Sequence, residues 1–178
     1  MSYPKLAEFD QIFIRNTLSN LARDHEFEFT QLVNSLLGLI VLPRQCLIKN
    51  IRCVESFGLL LCSFPELEFL SGTCSYRDEG DNLIEEQKFI LADEPQPLSR
   101  MTLRMLTDNL RHSIAHQSIR PTKDGLDWEG ILFRNYPKKV NEADAGAWKS
   151  GWIFQVYLTK EEIRELCNLI TGKYLEGI

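Results

Sequence analysis

The chain contains no CxxC pair, no apolar run long enough to span a bilayer, no low-complexity tract and no repeat at a solenoid period. Each absence removes a class of protein. The five cysteines, at positions 46, 53, 62, 74 and 167, are odd in number and widely spaced. Neither a disulfide framework nor a zinc site is expected from them, and reduced thiols in a cytosol are the plain reading. The longest apolar run, Leu36 to Leu42, excludes a transmembrane helix, so no membrane partner is expected. The opening Met1-Ser2-Tyr3-Pro4-Lys5 lacks a signal-peptide pattern, which points to a cytoplasmic protein. Histidine is scarce: there are three in 178 residues, and two of them, His112 and His116, lie four positions apart.

What is present is ordinary globular material, 44% hydrophobic and 25% charged, enough for a single domain with its own core. The net charge of -5 provides no global basic field to attract nucleic acid. The charge is uneven, however. Residues 55–95 carry ten acids against Arg77 and Lys88, whereas residues 101–140 carry seven bases against four acids. The basic segment holds Arg111-His112-Ser113-Ile114-Ala115-His116. An arginine holds a phosphate and a histidine moves a proton near neutral pH, so this stretch points to chemistry on a phosphodiester. The plainer alternative is a solvated helix face.

Apolar spacing at Leu6, Phe9, Ile12, Phe13, Leu18, Leu21 and Ala22 predicts a helix over 6–23. A second, apolar on nearly every side, is predicted over 29–42 and stopped by Pro43. Asn34 within it reads as a buried structural amide or a site residue. Residues 44–97 read as irregular or partly helical, because Gly58 and Pro65 break the period and Tyr76 to Gln87 is acidic and turn-like. A third helix is predicted over 99–118, with Ser99 as its N-cap. Its core stripe is Leu103, Leu106, Leu110 and Ile114, and Asn109, His112, Ser113 and His116 fall on the stripe beside it. Two strands are expected at 126–135 and 152–158, separated by a polar loop. Thr159-Lys160-Glu161-Glu162 reads as a capping box opening a last helix over 159–172, which Gly172 should end.

At about 100° per residue, Arg111 stands about 140° from His116 on the helix surface. One copy of the helix is therefore not expected to bring both groups to one phosphate oxygen. Two copies meeting across a two-fold axis would, which makes a homodimer the expected assembly.

Leu110-Arg111-His112-Ser113-Ile114-Ala115-His116 resembles the R-x4-6-H signature of HEPN domains. Phe29 to Pro43 looks like a second block of the pEK499-p136-like HEPN proteins, a plasmid-borne bacterial subfamily. The resemblance implies a mainly α fold, a HEPN-like helical bundle over residues 1–178, here with a small two-stranded β element before the C-terminal helix. It also implies dimerisation and metal-independent RNA cleavage, with Arg111 and His116 as catalytic residues and His112 at the polar position that follows the arginine. Some toxin relatives carry a tyrosine, modified by a partner enzyme, where this chain has Ser118, so that route of regulation is not expected.

In the chemistry so implied, the ribose 2′-OH attacks the neighbouring phosphate, histidines move the protons and Arg111 steadies the phosphoryl oxygens. Asn109 would hold an imidazole in place. Arg120, Lys138 and Lys139 would touch the RNA backbone, although a lysine pair also suits a solvated turn. Trp128, Trp148, Trp152 and Tyr136 suit either base stacking or a small core. His112 and His116 also have the spacing of a metal pair, but Ser113 stands where a zinc-protease helix has glutamate, and His25 is remote. No cofactor or metal is expected. The partners expected are RNA, a second copy and, for a toxin or phage-defence effector, an antitoxin protein. The alternatives are a non-catalytic RNA-binding or protein-interaction module and a regulatory, antitoxin-like partner.

Overall fold

The computed structural model describes residues 15–19, 35, 38, 55–77, 81–92, 96–124, 127–136 and 153–176. Of the first two expected helices, residues 15–19 and Ser35 are helical and Gly38 sits in a π-turn. The rest of both, with Asn34, lies outside the described residues.

Two 3-10 turns, Leu61–Ser63 and Pro65–Ser71, lead into a hairpin of β1 (Thr73–Arg77) and β2 (Leu83–Gln87). Then come β3 (Phe89–Leu91), a short turn α1 (Pro97–Arg100) and α2 (Leu103–Ala115). The chain closes with β4 (Ile119–Asp124), β5 (Asp127–Asn135), β6 (Phe154–Thr159) and α3 (Lys160–Glu176). The strands form one antiparallel sheet in the order β2-β1-β4-β5-β6-β3.

This corrects the expected fold class. The molecule is not a mainly α bundle with a two-stranded element. Its described residues combine helices with six strands, of which only β5 and β6 were expected. The strands of the 73–91 segment escaped notice because their inward positions are Cys74, Tyr76, Ile84 and Glu86. A carboxylate among them breaks the alternating apolar signal. β4 was hidden by Pro121. Proline is tolerated there because β4 meets β1 only through Arg77 opposite Lys123, leaving the chain around Pro121 paired on the β5 side alone.

β2 and β3 lie at opposite edges of the sheet, yet only Lys88 separates them in the chain. Two peptide links span roughly 7 Å at most, so the sheet curls until its edges meet. Tyr157 N–H donates to the Lys88 carbonyl at 2.9 Å and closes that corner. Inside the curl, Tyr76 and Tyr157 stack at 5.5 Å beside Cys74 and Leu132. The buried Arg134 donates from Nε to Gln155 Oε1 at 2.6 Å; Gln155 donates in turn to Glu86, which also accepts from the Tyr76 hydroxyl at 2.7 Å. Buried charge is costly unless bonded, and this chain of bonds meets the requirement. Burial pushes the Tyr157 phenol up to about 12. Burial and the Glu86 carboxylate raise Tyr76 and bring Cys74 up to about 11.

The other face of the sheet carries the main core. Ile131, Phe133, Phe154, Val156 and Leu158 pack with Leu103, Leu106, Leu110 and Ile114 of α2 and with Ile163, Leu166, Cys167 and Ile170 of α3. Each such side chain contributes about 1.5–3 kcal/mol on full burial. The expected capping box is present: Glu162 N–H donates to Thr159 Oγ1 at 3.3 Å and Thr159 N–H to Glu162 Oε2 at 2.9 Å. Lys88 pairs with the same Glu162 and anchors α3 to the corner of the sheet. α3 does not stop at Gly172 but runs on to Glu176. Among the described residues, no helix is long and apolar enough to cross a membrane.

Candidate functional site

The helix expected over 99–118 is two elements. Leu61 N–H donates to the Met101 carbonyl and Leu103 N–H to the Leu59 carbonyl, and Leu60 bridges Thr102. This pairing pulls residues 101–102 into extended backbone. α2 then restarts with Thr102 as its N-cap, accepting from Met105 N–H at 3.2 Å, in place of Ser99. At the far end Gln117 takes the left-handed region at φ 56°. Gln117 N–H donates to the Ile114 carbonyl and Ser118 N–H to the Ser113 carbonyl, a Schellman closure. His116 is therefore the C-cap, not an interior helical residue.

Three of the expected site residues come together in one chain. His112 donates from Nδ1 to the Asp108 carbonyl at 2.9 Å, and its Nε2 faces Arg111 Nη2 at 3.2 Å. A carbonyl only accepts and a guanidinium only donates, so these partners select the Nδ1–H tautomer of His112. The His112 and His116 rings lie parallel, 9° apart in plane and 6.1 Å between centroids. Arg111 thus touches the ring that lies parallel to His116. Arg111 and His112 are half-buried, while His116 is exposed.

The other expected residues are placed differently. Asn109 donates from Nδ2 to the Met105 carbonyl at 2.9 Å and accepts from Asn135 Nδ2 at 2.9 Å, so its amide is bonded to the strand rather than to an imidazole. Arg120 is half-buried in β4, opposite Leu132. Lys138, Lys139, Trp148, Trp152 and His25 lie outside the described residues. Trp128 stands in β5 opposite Lys123. Tyr136 is buried, which suits a core role better than base stacking. No group of three or more His, Cys, Asp or Glu side chains is placed to hold a metal ion among the described residues. Of the five cysteines, Cys62, Cys74 and Cys167 are described, and all three are free thiols.

Sequence reasoning missed Asn135 and the contact next to it, where Arg134 N–H donates to the Ser118 carbonyl at 3.0 Å. An asparagine at the end of a strand carries no signal of its own, since its partner is 26 residues away.

The cluster offers a guanidinium that can face an anion and an exposed imidazole that can take up or release a proton. A family model described as HEPN pEK499 p136 matches residues 1–177. No curated protein and no solved structure matches the chain.

Proposed function

The chain belongs to the HEPN pEK499 p136 family, and on that footing we propose that it is a metal-independent endoribonuclease acting by 2′-OH transesterification. The observation that carries this reading is the Arg111–His112–His116 cluster on α2. A neutral His116 takes the 2′-OH proton as the ribose oxygen bonds to phosphorus. His116 of a second copy, in the imidazolium form, gives its proton to the departing 5′ oxygen. Arg111 neutralises the charge gathering on the phosphoryl oxygens. His112 holds the guanidinium through Nε2, and Arg120, Lys138 and Lys139 steer the RNA backbone. The products are a 2′,3′-cyclic phosphate and a 5′-OH. The assembly is a homodimer with a composite site, and the biological role is that of a toxin or phage-defence effector held in check by an antitoxin protein.

One observation favours a non-catalytic RNA-binding or protein-interaction module instead: both ring nitrogens of His112 are bonded within its own chain. Cleavage assays separate the two readings. Purified protein in chelator should release cyclic-phosphate ends from labelled RNA, seen by mass spectrometry. His116→Ala should lower kcat by roughly 100-fold or more. RNA binding without cyclic-phosphate product, or a His116→Ala protein as active as the parent, would sink the nuclease reading.

A further inference from the structure

Two adjacent residues of β5 grip α2 on either side of its imidazoles. Asn135 Nδ2 donates to Asn109 Oδ1 at 2.9 Å, three residues before His112. Arg134 N–H donates to the Ser118 carbonyl at 3.0 Å, two residues after His116. On a helix, Asn109, His112 and His116 fall within about 60° of one another, so the Asn135 bond lies on the imidazole flank itself. The neighbouring stripe of α2 is held by Leu106, Leu110 and Ile114, whose contacts are apolar. Apolar contacts are non-directional and leave rotation of a helix about its own axis loosely determined. A directional bond on the flank settles it.

We infer that Asn135 is a positioning residue for the α2 histidines, acting through Asn109 to set the rotation of the helix against the sheet and hence the direction in which His112 and His116 face. Both ends of the Asn135 amide are engaged, because its Oδ1 accepts from Tyr136 N–H at 2.9 Å. Asn109 is equally committed, to Met105 through Nδ2 and to Ser113 through its carbonyl, which accepts from Ser113 Oγ at 2.9 Å. An aspartate at 135 keeps the shape and the bond from Tyr136 N–H. It places an oxygen against Asn109 Oδ1, so Asn109 must give up either the strand or Met105. His112 sits on that same turn, bonded to Asp108 and Arg111. The consequence for turnover rests on the ribonuclease reading, but the state of the imidazole can be read without it.

The test uses the full chain with 15N-labelled histidine, comparing parent, Asn135→Asp, Asn109→Ala and the double variant. Long-range proton–nitrogen spectra should show the Nδ1–H tautomer of His112 kept in every variant, because both its partners turn with the helix, while the ring resonances of His112 and His116 shift in each variant. In RNA cleavage, kcat should fall about 10- to 100-fold in each single variant. KM should stay within about twofold, and the double variant should be no worse than the worse single one. If Asn135→Asp does not fold, Asn109→Ala breaks the same bond from the helix side and decides the matter. Ring resonances of His112 and His116 unchanged in the folded variants, or multiplicative losses in the double variant, would overturn the inference. A parent protein that cleaves no RNA would remove the nuclease reading, and the ring resonances alone would then decide the role of Asn135.

Discussion

Arg111 and His112, neighbours in the chain, bond to each other through their side chains: Nη2 of the arginine donates to Nε2 of the ring at 3.2 Å. Adjacent helical residues normally diverge by about 100°. The contact is possible because the arginine is long and because His112 is turned by its bond to the Asp108 carbonyl. The ring nitrogen therefore orients the guanidinium.

Lysine is not an equivalent at this position, since it replaces a planar fork by a point charge. Arg111→Lys should lower kcat/KM for RNA cleavage by about tenfold or more, with the fold unchanged by circular dichroism. Cleavage at the parental rate would show that charge alone suffices at position 111.

Gly130 in β5 leaves room for the ring of Tyr157. A Cβ there would lie 2.6 Å from the Leu158 carbonyl oxygen and 2.8 Å from Cζ and Oη of Tyr157. Backbone cannot yield as a flexible side chain can. Gly130→Ala should destabilise the protein by about 1–3 kcal/mol, measured as a shift in the urea midpoint at constant slope.

Two exchanges should act in the opposite direction. Gln117 holds a left-handed conformation that glycine adopts freely, so Gln117→Gly should stabilise by about 0.5–1 kcal/mol. Gly172 lies within α3, and a Cβ at that position would meet nothing within 4 Å, so Gly172→Ala should gain a similar amount, about 0.5–1 kcal/mol. Thermal melts of the two single variants and the pair should show additive gains, because each exchange acts on the backbone of its own helix or helix end.

The buried acids make stability fall in alkali. Burial and the Glu86 carboxylate lift Cys74 from 9.0 to about 11, and burial alone lifts Cys167 to about 12. Burial likewise lifts Tyr157 from 10.0 to about 12. Between the unfolded and folded values the unfolded chain binds fewer protons, so stability declines as pH rises. The contribution of Cys74 is whole below pH 9 and lost as pH climbs through about 11. Urea midpoints should hold steady below pH 9 and drop beyond it, and Cys167→Ala should make the drop shallower. A midpoint independent of pH from 8 to about 11 would contradict the assignment.

Features set by short-range pattern were legible from the chain. The Thr159–Glu162 box and the strands β5 and β6 needed only neighbours a few residues away. So did the apolar stripe of α2, whose Leu103, Leu106, Leu110 and Ile114 are all buried. What escaped depended on distant partners. The break at Met101 is imposed by Leu59 and Leu61, about forty residues earlier. The β1–β2 hairpin turns a carboxylate inward because Gln155 and Tyr76 await it. In the candidate site, the motif pointed to Arg111, His112 and His116, and the angular argument placed Arg111 away from His116. Arg111 bonds instead to His112, its neighbour in sequence. The bond of Asn109 to Asn135 had no trace in spacing at all.

The meeting of the two sheet edges at Lys88 also governs when the protein is finished. β3 has no strand to lie against until Phe154–Thr159 has been synthesised. A nascent chain halted short of that point owns its arginine and histidines but lacks a completed scaffold to seat them. The sheet that seats α2 therefore closes only after β6 has been made, so the order of synthesis sets the order in which this fold can close.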